Sequence, residues 1–215
     1  MGRSPAYVFK FLTMFHLFAG VLIPFFTVWG KISFAQVMLL QAIFTASVFV
    51  LEVPTGAIAD RFGRKTSLIF GAVALAIGVA VYSIYPNFWV FAIGEVIWAC
   101  GFALVSGADQ ALVYDSLKEL GEEEKSKKIF GRWESLGVIA IAIAAPIGSL
   151  IAEYVGLRYT MIGMSVPFFI ATSIAMTFKE PQVGRPAQRA KYFQSIVDGS
   201  KYLKSHKALR ILAFD

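Results

Sequence analysis

Two carboxyl groups and two aromatic side chains share one face of the fourth apolar segment of the chain. Spacings of three or four residues place them on one stripe of a helix: Glu95, Trp98, Phe102, Ser106 and Asp109. An ionisable group inside an apolar segment is costly, so it marks a candidate functional site. Glu95 is the best candidate for proton coupling, because a carboxyl group in a low-dielectric cavity can load and release a proton near neutral pH. The competing interpretation is a carboxylate satisfied by a neighbouring helix.

The first apolar segment carries a second candidate stripe. Its members have the same helical spacing: Thr13, His16, Gly20, Pro24 and Thr27. Histidine changes charge readily near neutral pH, although a lone helical histidine is more often a packed hydrogen-bond donor. On the second segment, Gln41 could bind substrate or another helix. Asp109 has an alternative role in a network at the inner end of its helix.

The elements that position these residues are six membrane-spanning helices. Hydrophobic residues make up 57% of the 215 residues and charged residues only 16%, whereas soluble domains carry about 25% charged residues. This composition argues against a soluble enzyme, an RNA-binding protein or a disordered chain. A bilayer core about 30 Å thick needs about 20 apolar residues in a helix. Six runs meet that need and predict an all-α polytopic membrane protein: residues 8–29, 34–53, 67–85, 88–113, 131–152 and 159–178.

The distribution of basic residues predicts the orientation of these spans. With a cytoplasmic N-terminus, eighteen of the twenty Lys and Arg residues fall on the cytoplasmic side, and only Lys31 and Arg158 fall outside. Such an asymmetry is typical of the positive-inside rule. The net charge of +6 therefore reflects contact with the lipid bilayer of the cell membrane and gives no reason to expect a nucleic-acid partner.

The predicted cytoplasmic link between the second and third spans has a specific motif. Residues 54–65 read PTGAIADRFGRK. Gly63 permits a tight turn, and Asp60 is placed to pair with a nearby Arg or to accept from a helix N-terminus. A cytoplasmic turn that served only to carry positive charge would not need glycine and aspartate at fixed positions among its basic residues. The motif residues are Gly56, Asp60, Arg61, Gly63, Arg64 and Lys65.

This motif resembles the signature loop of the major facilitator superfamily. The resemblance implies that the chain is the N-terminal six-helix half of a twelve-helix transporter, built as an inverted three-plus-three repeat. It also implies that the first and fourth helices line the central cavity. Asp60 and Arg64 would act as a conformational latch against the missing C-terminal half, with Asp115 as their acidic partner.

A second Pro…Gly pattern, weakly similar to that of the signature loop, fits such a repeat. Pro54 is followed by Gly63 after nine positions, and Pro146 is followed by Gly156 after ten. Coincidence and common ancestry are equally good explanations, because Pro and Gly are frequent in membrane helices.

The predicted domain organisation has three parts. Residues 1–178 form the six-helix transmembrane domain, 179–206 a cytoplasmic linker with a candidate amphipathic helix, and 207–215 the start of a truncated seventh helix. The alternative is a tail on the inner membrane surface. If the chain were complete, a dimer partner would have to close the cavity.

The predicted function is secondary active transport, with proton-coupled efflux of a small, partly apolar compound. The alternatives are a nutrient symporter or uniporter, a non-transport scaffold, and an intramembrane protease, whose Gly-x-Ser-Gly turn is lacking at Ser106. Residues 93–104 contain no buried Arg, and residues 145–149 only approximate the antiporter signature of the family. These departures weaken the assignment as an antiporter but not the predicted fold. The sequence has no P-loop and gives no reason to expect a cofactor or a metal site.

Overall fold

The computed structural model describes residues 3–180. Within this range, side-chain caps fix the starts of two long helices. Ser33 and Gln36 form a capping box, in which the Gln36 amide N–H donates to the Ser33 hydroxyl oxygen and the Ser33 N–H donates to the Gln36 side chain. Asn87 accepts from the Trp89 N–H at 2.9 Å. The helices of this part are α1 (Arg3–Thr13), α2 (Leu22–Trp29), α3 (Phe34–Phe62), α4 (Arg64–Tyr82), α5 (Phe88–Glu119), α6 (Ser126–Tyr154) and α7 (Leu157–Met176).

The first apolar segment is broken, and the single helical stripe predicted on it is wrong. After α1 the chain forms a 3-10 turn at Leu17–Gly20, and the two parts of the segment bend by 66° before α2. Pro24 has no N–H to donate to the Gly20 carbonyl, which weakens the helix at this point. Thr13, His16, Gly20, Pro24 and Thr27 therefore do not share one helix face.

Close packing against α6 accompanies this break. A Cβ atom on Gly148 would collide with the Leu17 carbonyl oxygen, so only glycine allows this approach. The small-residue face of α6 is buried there and includes Ala140, Ala144 and Gly148. The packing of small residues brings the helices together as it does in many membrane bundles.

Two helices run past their predicted ends. The predicted link beginning at Pro54 is helical, because α3 continues to Phe62 before Gly63 ends it. The Thr55 hydroxyl donates to the Leu51 carbonyl at 2.8 Å, and the helix continues although Pro54 has no N–H for the Val50 carbonyl. α5 likewise continues beyond residue 113, so Asp115 lies on a helix.

The repeated Pro…Gly pattern corresponds to repeated backbone geometry. Gly63 has φ 98° and ψ 152°, and Gly156 has φ 123° and ψ 152°. Each glycine comes between a 29-residue helix with an internal proline and a shorter helix, α3 then α4 and α6 then α7. The two shorter helices pack against each other. These features support the inverted three-plus-three repeat.

The described residues include five helices long and apolar enough to cross a membrane, or six spans if the bent first pair counts as one. α3 and α6 expose large apolar side chains, among them Phe49 at 79% and Val138 at 68%. Such surfaces require lipid or another helix. The predicted linker beyond residue 180 and the predicted seventh helix lie outside the described residues.

Candidate functional site

A cavity of about 220 Å³ lies between the broken first segment and four of the helices. Aromatic side chains dominate its wall, with few polar groups among them. The lining residues are His16, Phe18, Leu22, Phe26, Gln41, Phe44, Tyr82, Glu95, Trp98, Phe102 and Met161. The structure thus brings together five of the six predicted cavity residues.

Glu95 is the single carboxyl group in the described cavity wall, and it is 4% exposed. The Gln41 side-chain amide on α3 donates to its Oε1 over 3.5 Å. The Tyr82 side chain on α4 also interacts with it. Both neighbours are uncharged, so they compensate a negative charge only through dipoles.

His16 lies at the break of the first segment, where the chain leaves the α1 helix. Its Nε2 is 3.0 Å from the Thr13 carbonyl oxygen. Its ring stacks on Phe18 with a centroid distance of 5.2 Å and meets the edge of Trp98 at 5.6 Å. The imidazole is therefore packed among aromatic rings and hydrogen-bonded locally.

Asp109 does not line the cavity, although it shares the helix α5 with Glu95. Its Oδ2 accepts from the Lys10 ammonium at 3.4 Å, and both side chains are nearly inaccessible. The same ammonium lies 5.6 Å above the Trp133 ring and 3.9 Å from a Glu134 oxygen. This ion pair joins the first segment to α5 and α6.

Sequence reasoning missed Lys10. On sequence alone, Lys10 counts only among the basic residues on the predicted cytoplasmic side, although this lysine lies inside an apolar segment. The need of a membrane-embedded Asp109 for a positive partner on another helix would have been a usable signal.

The rest of the predicted α5 stripe is more exposed. Phe102 is 38% exposed and meets Phe44 edge to face at 5.9 Å. The Ser106 hydroxyl, on the same stripe, donates to the Ala103 carbonyl of its own helix. Phe102 therefore lies at the cavity wall, whereas Ser106 and Asp109 are not among its lining residues.

The signature loop holds an ion pair between two helices. The Arg64 guanidinium at the start of α4 lies 2.7 Å from Asp115 Oδ2 near the end of α5. Both side chains are about one-quarter exposed. Gly63 has the positive φ that favours glycine, and it lets α4 begin at once.

Glu180, which sequence reasoning also missed, caps the start of α4. Its two carboxylate oxygens accept from the Arg64 and Lys65 backbone N–H groups, each at 2.8 Å. A carboxylate is stabilised at a helix N-terminus by the unpaired N–H groups and the helix dipole. Glu180 follows the last helix by four positions, so its partner becomes evident only from the fold.

Asp60, unlike Arg64, has no ion-pair partner in the described part of the chain. It is half-buried and makes no hydrogen bond or ion pair within residues 3–180. One helical turn earlier, a Cβ atom on Gly56 would meet nothing within 4 Å. Beside Gly56, the surface of α3 therefore has free space within the described residues. The adjacent Arg61 is exposed and lies over the Phe62 ring.

Comparison with known proteins identifies the family. The family model of the Major Facilitator Superfamily matches residues 6–214. The inner membrane transport protein YajR of Escherichia coli is 25% identical over 82% of this chain and 37% of its own length. The multidrug resistance protein 2 of Bacillus subtilis is 26% identical over 73% of this chain and 37% of its own length. The glucose/galactose transporter of Brucella abortus is 22% identical over 76% of this chain and 42% of its own length.

The chain belongs to the Major Facilitator Superfamily, a family of membrane transporters rather than enzymes. Its six apolar segments fit one half of that fold, and it is an integral membrane protein. Members of the family bind small-molecule substrates. The chain spans about 37–42% of the length of these relatives.

Proposed function

We propose that the protein is a secondary active transporter that exports a small, partly apolar compound in exchange for protons. The observation that carries the proposal is the cavity, in which one carboxyl group, Glu95, is surrounded mainly by aromatic side chains. An aromatic wall favours a partly apolar substrate. A buried carboxyl group with uncharged neighbours can take up a proton when the substrate leaves.

The signature loop supplies the conformational part of this proposal. Asp60 and Gly56 contact a second six-helix half when the cytoplasmic side closes, and Arg64 and Asp115 hold α4 to α5 while they do so. The second half comes from the same full-length chain or from a dimer partner. The N-terminus faces the cytoplasm in the cell membrane, as the asymmetry of basic residues favours.

Transport in proteoliposomes tests the proposed function. The full-length protein is reconstituted, a pH gradient is imposed, and the movement of chloramphenicol and of ethidium is followed as uncharged and charged probes. We expect uphill movement of at least one compound against the proton gradient, with loss of movement when an ionophore collapses that gradient. Gradient-independent movement, or no movement of either compound, would contradict proton-coupled efflux.

Glu95→Gln is the decisive variant in this assay. It should abolish uphill transport while leaving the yield of folded protein unchanged. Glu119→Gln is the matched control, because Glu119 is an exposed carboxylate at the cytoplasmic end of the same helix. Equal transport by both variants and the unmodified protein would remove Glu95 from the coupling mechanism.

A nutrient symporter is the second candidate, favoured by the similarity to a glucose/galactose transporter. The same proteoliposomes distinguish a symporter from an exporter. A symporter would accumulate labelled glucose in the direction of the proton gradient, whereas an exporter would move its substrate in the opposite direction.

A further inference from the structure

We infer that the turn between α6 and α7 is a second latch, on the side of the membrane opposite to the signature loop. Glu153 is its acidic residue, and it contacts a basic side chain or a helix N-terminus of the second six-helix half when the cavity closes on that side. The inference rests on the proposed function, because it assigns the opposite step of the cycle to a counterpart of Asp60.

The two turns share their backbone geometry and the position of an acidic residue. Gly63 has φ 98° and ψ 152°, and Gly156 has φ 123° and ψ 152°. Three positions before each glycine stands a carboxylate near the end of a long helix, Asp60 in α3 and Glu153 in α6. Glu153 is therefore the counterpart of the proposed latch residue Asp60.

Burial follows the same register in the two long helices. Eight positions before the glycine, Thr55 in α3 and Gly148 in α6 are both buried. Each acidic residue comes five positions later, about 140° around the helix from that buried position. Asp60 and Glu153 are therefore both turned away from the packed face of their helix, where a second half can reach them.

The two turns lie on opposite sides of the membrane. Between Gly63 and Gly156 the chain forms α4, α5 and α6, each long and apolar enough to cross a bilayer. Three crossings place the two glycines on opposite sides, as an inverted repeat requires. Equivalent contacts on opposite sides stabilise opposite states of an alternating cycle.

Glu153 is available for such a contact. Its side chain is exposed and forms no ion pair or hydrogen bond in the described part of the chain. The nearby Arg158 has its own partner, because its Nε donates to the Ser83 carbonyl at the end of α4 over 2.8 Å. This bond holds the start of α7 in place, as the Arg64–Asp115 pair holds the start of α4.

The second half of the full-length protein is the occupant that fits this surface. The chain spans only 37–42% of the length of its relatives, so those proteins have room for a second half. Beside Glu153, Tyr154 is 78% and Val155 59% exposed. A helix end that covers these apolar side chains would bring its positive group to the Glu153 carboxylate.

Cysteine labelling in intact cells tests the inference. The full-length protein carries Leu22→Cys in the cavity wall, with Cys100 and every other native cysteine replaced by alanine. A membrane-impermeant methanethiosulfonate is added from outside, the side on which the proposed orientation places Glu153. Glu153→Gln should speed labelling about threefold, the factor that one surface charge contact allows. Asp60→Asn should slow labelling, and adding Glu153→Gln to Asp60→Asn should speed it again.

Two control variants define the specificity of this effect. Glu153→Asp keeps the charge, and Glu119→Gln removes an exposed carboxylate at the cytoplasmic end of α5. Both should be labelled at the rate of the unmodified protein. Absence of an effect of Glu153→Gln in both the unmodified and the Asp60→Asn background would overturn the inference, as would an equal effect of Glu119→Gln.

The labelling also separates this inference from the proposed function, because it needs neither a pH gradient nor a substrate. An effect of Asp60→Asn alone would refute the second latch and leave the proposed function intact. An effect of Glu153→Gln alone would support the second latch and refute the proposed role of Asp60. Failure of proton-driven transport with both effects present would refute the proposed efflux alone.

Photo-cross-linking identifies the partner of the second latch. Tyr154→p-benzoylphenylalanine places an aromatic probe beside Glu153 and leaves the carboxylate in place. Mass spectrometry should map the adduct to the second half of the same full-length chain. An adduct between two copies of the chain, or with lipid alone, would overturn the inference.

Discussion

Two buried carboxyl groups on one helix have opposite surroundings. Asp109 is paired with the Lys10 ammonium at 3.4 Å, near the Trp133 ring. Glu95 lies in the cavity, and its polar partners within residues 3–180 are the Gln41 amide and the Tyr82 side chain. The first group has a counter-ion from the protein, whereas no described Lys or Arg lines the cavity around the second.

This difference indicates a structural role for Asp109 and a role in proton exchange for Glu95. A carboxylate paired with an ammonium of the protein is held in its ionised form by that partner. A buried carboxyl group without such a partner ionises at a greater cost and can exist in the protonated form. The contrast therefore favours Glu95 for proton exchange, and it favours Asp109 as a link between the first segment and α5.

Removal of Lys10 should have the largest effect on stability. Lys10→Met leaves Asp109 buried without its partner, and breaking a buried pair in this way costs about 3–5 kcal/mol. Thermal unfolding in detergent should show a large fall in Tm. The double variant Lys10→Met/Asp109→Leu should recover most of the loss, because no uncompensated charge is left. A small effect of Lys10→Met alone would show that Asp109 does not depend on it.

The Arg64–Asp115 pair should contribute less, because both side chains are partly exposed. A double-mutant cycle with Arg64→Gln and Asp115→Asn should give a coupling free energy of about 1 kcal/mol. The same variants should slow transport, since α4 and α5 lose the ion pair that connects the start of α4 to the end of α5. Zero coupling energy would contradict a working ion pair.

Glu180→Gln tests the cap on α4. The variant keeps an acceptor oxygen but loses the negative charge near the helix N-terminus, which should cost about 1 kcal/mol. Faster hydrogen exchange at the Arg64 and Lys65 amides is the expected sign. Unaltered protection of these two amides would contradict the capping role.

Asp60→Asn should have the smallest effect on stability, within about 0.5 kcal/mol, because Asp60 has no partner within residues 3–180. Its effect should be on the transport cycle. We expect slower turnover with little change in substrate affinity, measured as separate kcat and KM values. Normal turnover would count against the latch, whereas a rise in KM alone would point to a binding role.

Much of the architecture is predictable because a bilayer sets the length of each apolar segment. The six segments and the signature loop follow from composition and spacing. The break before α2 does not, because it depends on the packing of Leu17 against Gly148. Pro24 alone did not predict it, since membrane helices often tolerate proline.

The candidate site was predictable only in part, for a related reason. Glu95, Trp98 and Phe102 share a stripe that the sequence displays directly. Lys10 and Glu180 contact residues about a hundred positions away, and such pairing is set by tertiary structure. The roles of all these residues remain predictions that the experiments above address.

Substrate-induced proton release tests the contrast between the two carboxyl groups most directly. Ethidium, the charged probe of the transport assay, is added to the weakly buffered, purified full-length protein, and the change in pH is recorded. The unmodified protein and the Lys10→Met/Asp109→Leu variant should release protons on binding the cation, and Glu95→Gln should release none. Equal release by Glu95→Gln, or loss of release only in the Lys10→Met/Asp109→Leu variant, would contradict the assignment of proton exchange to Glu95.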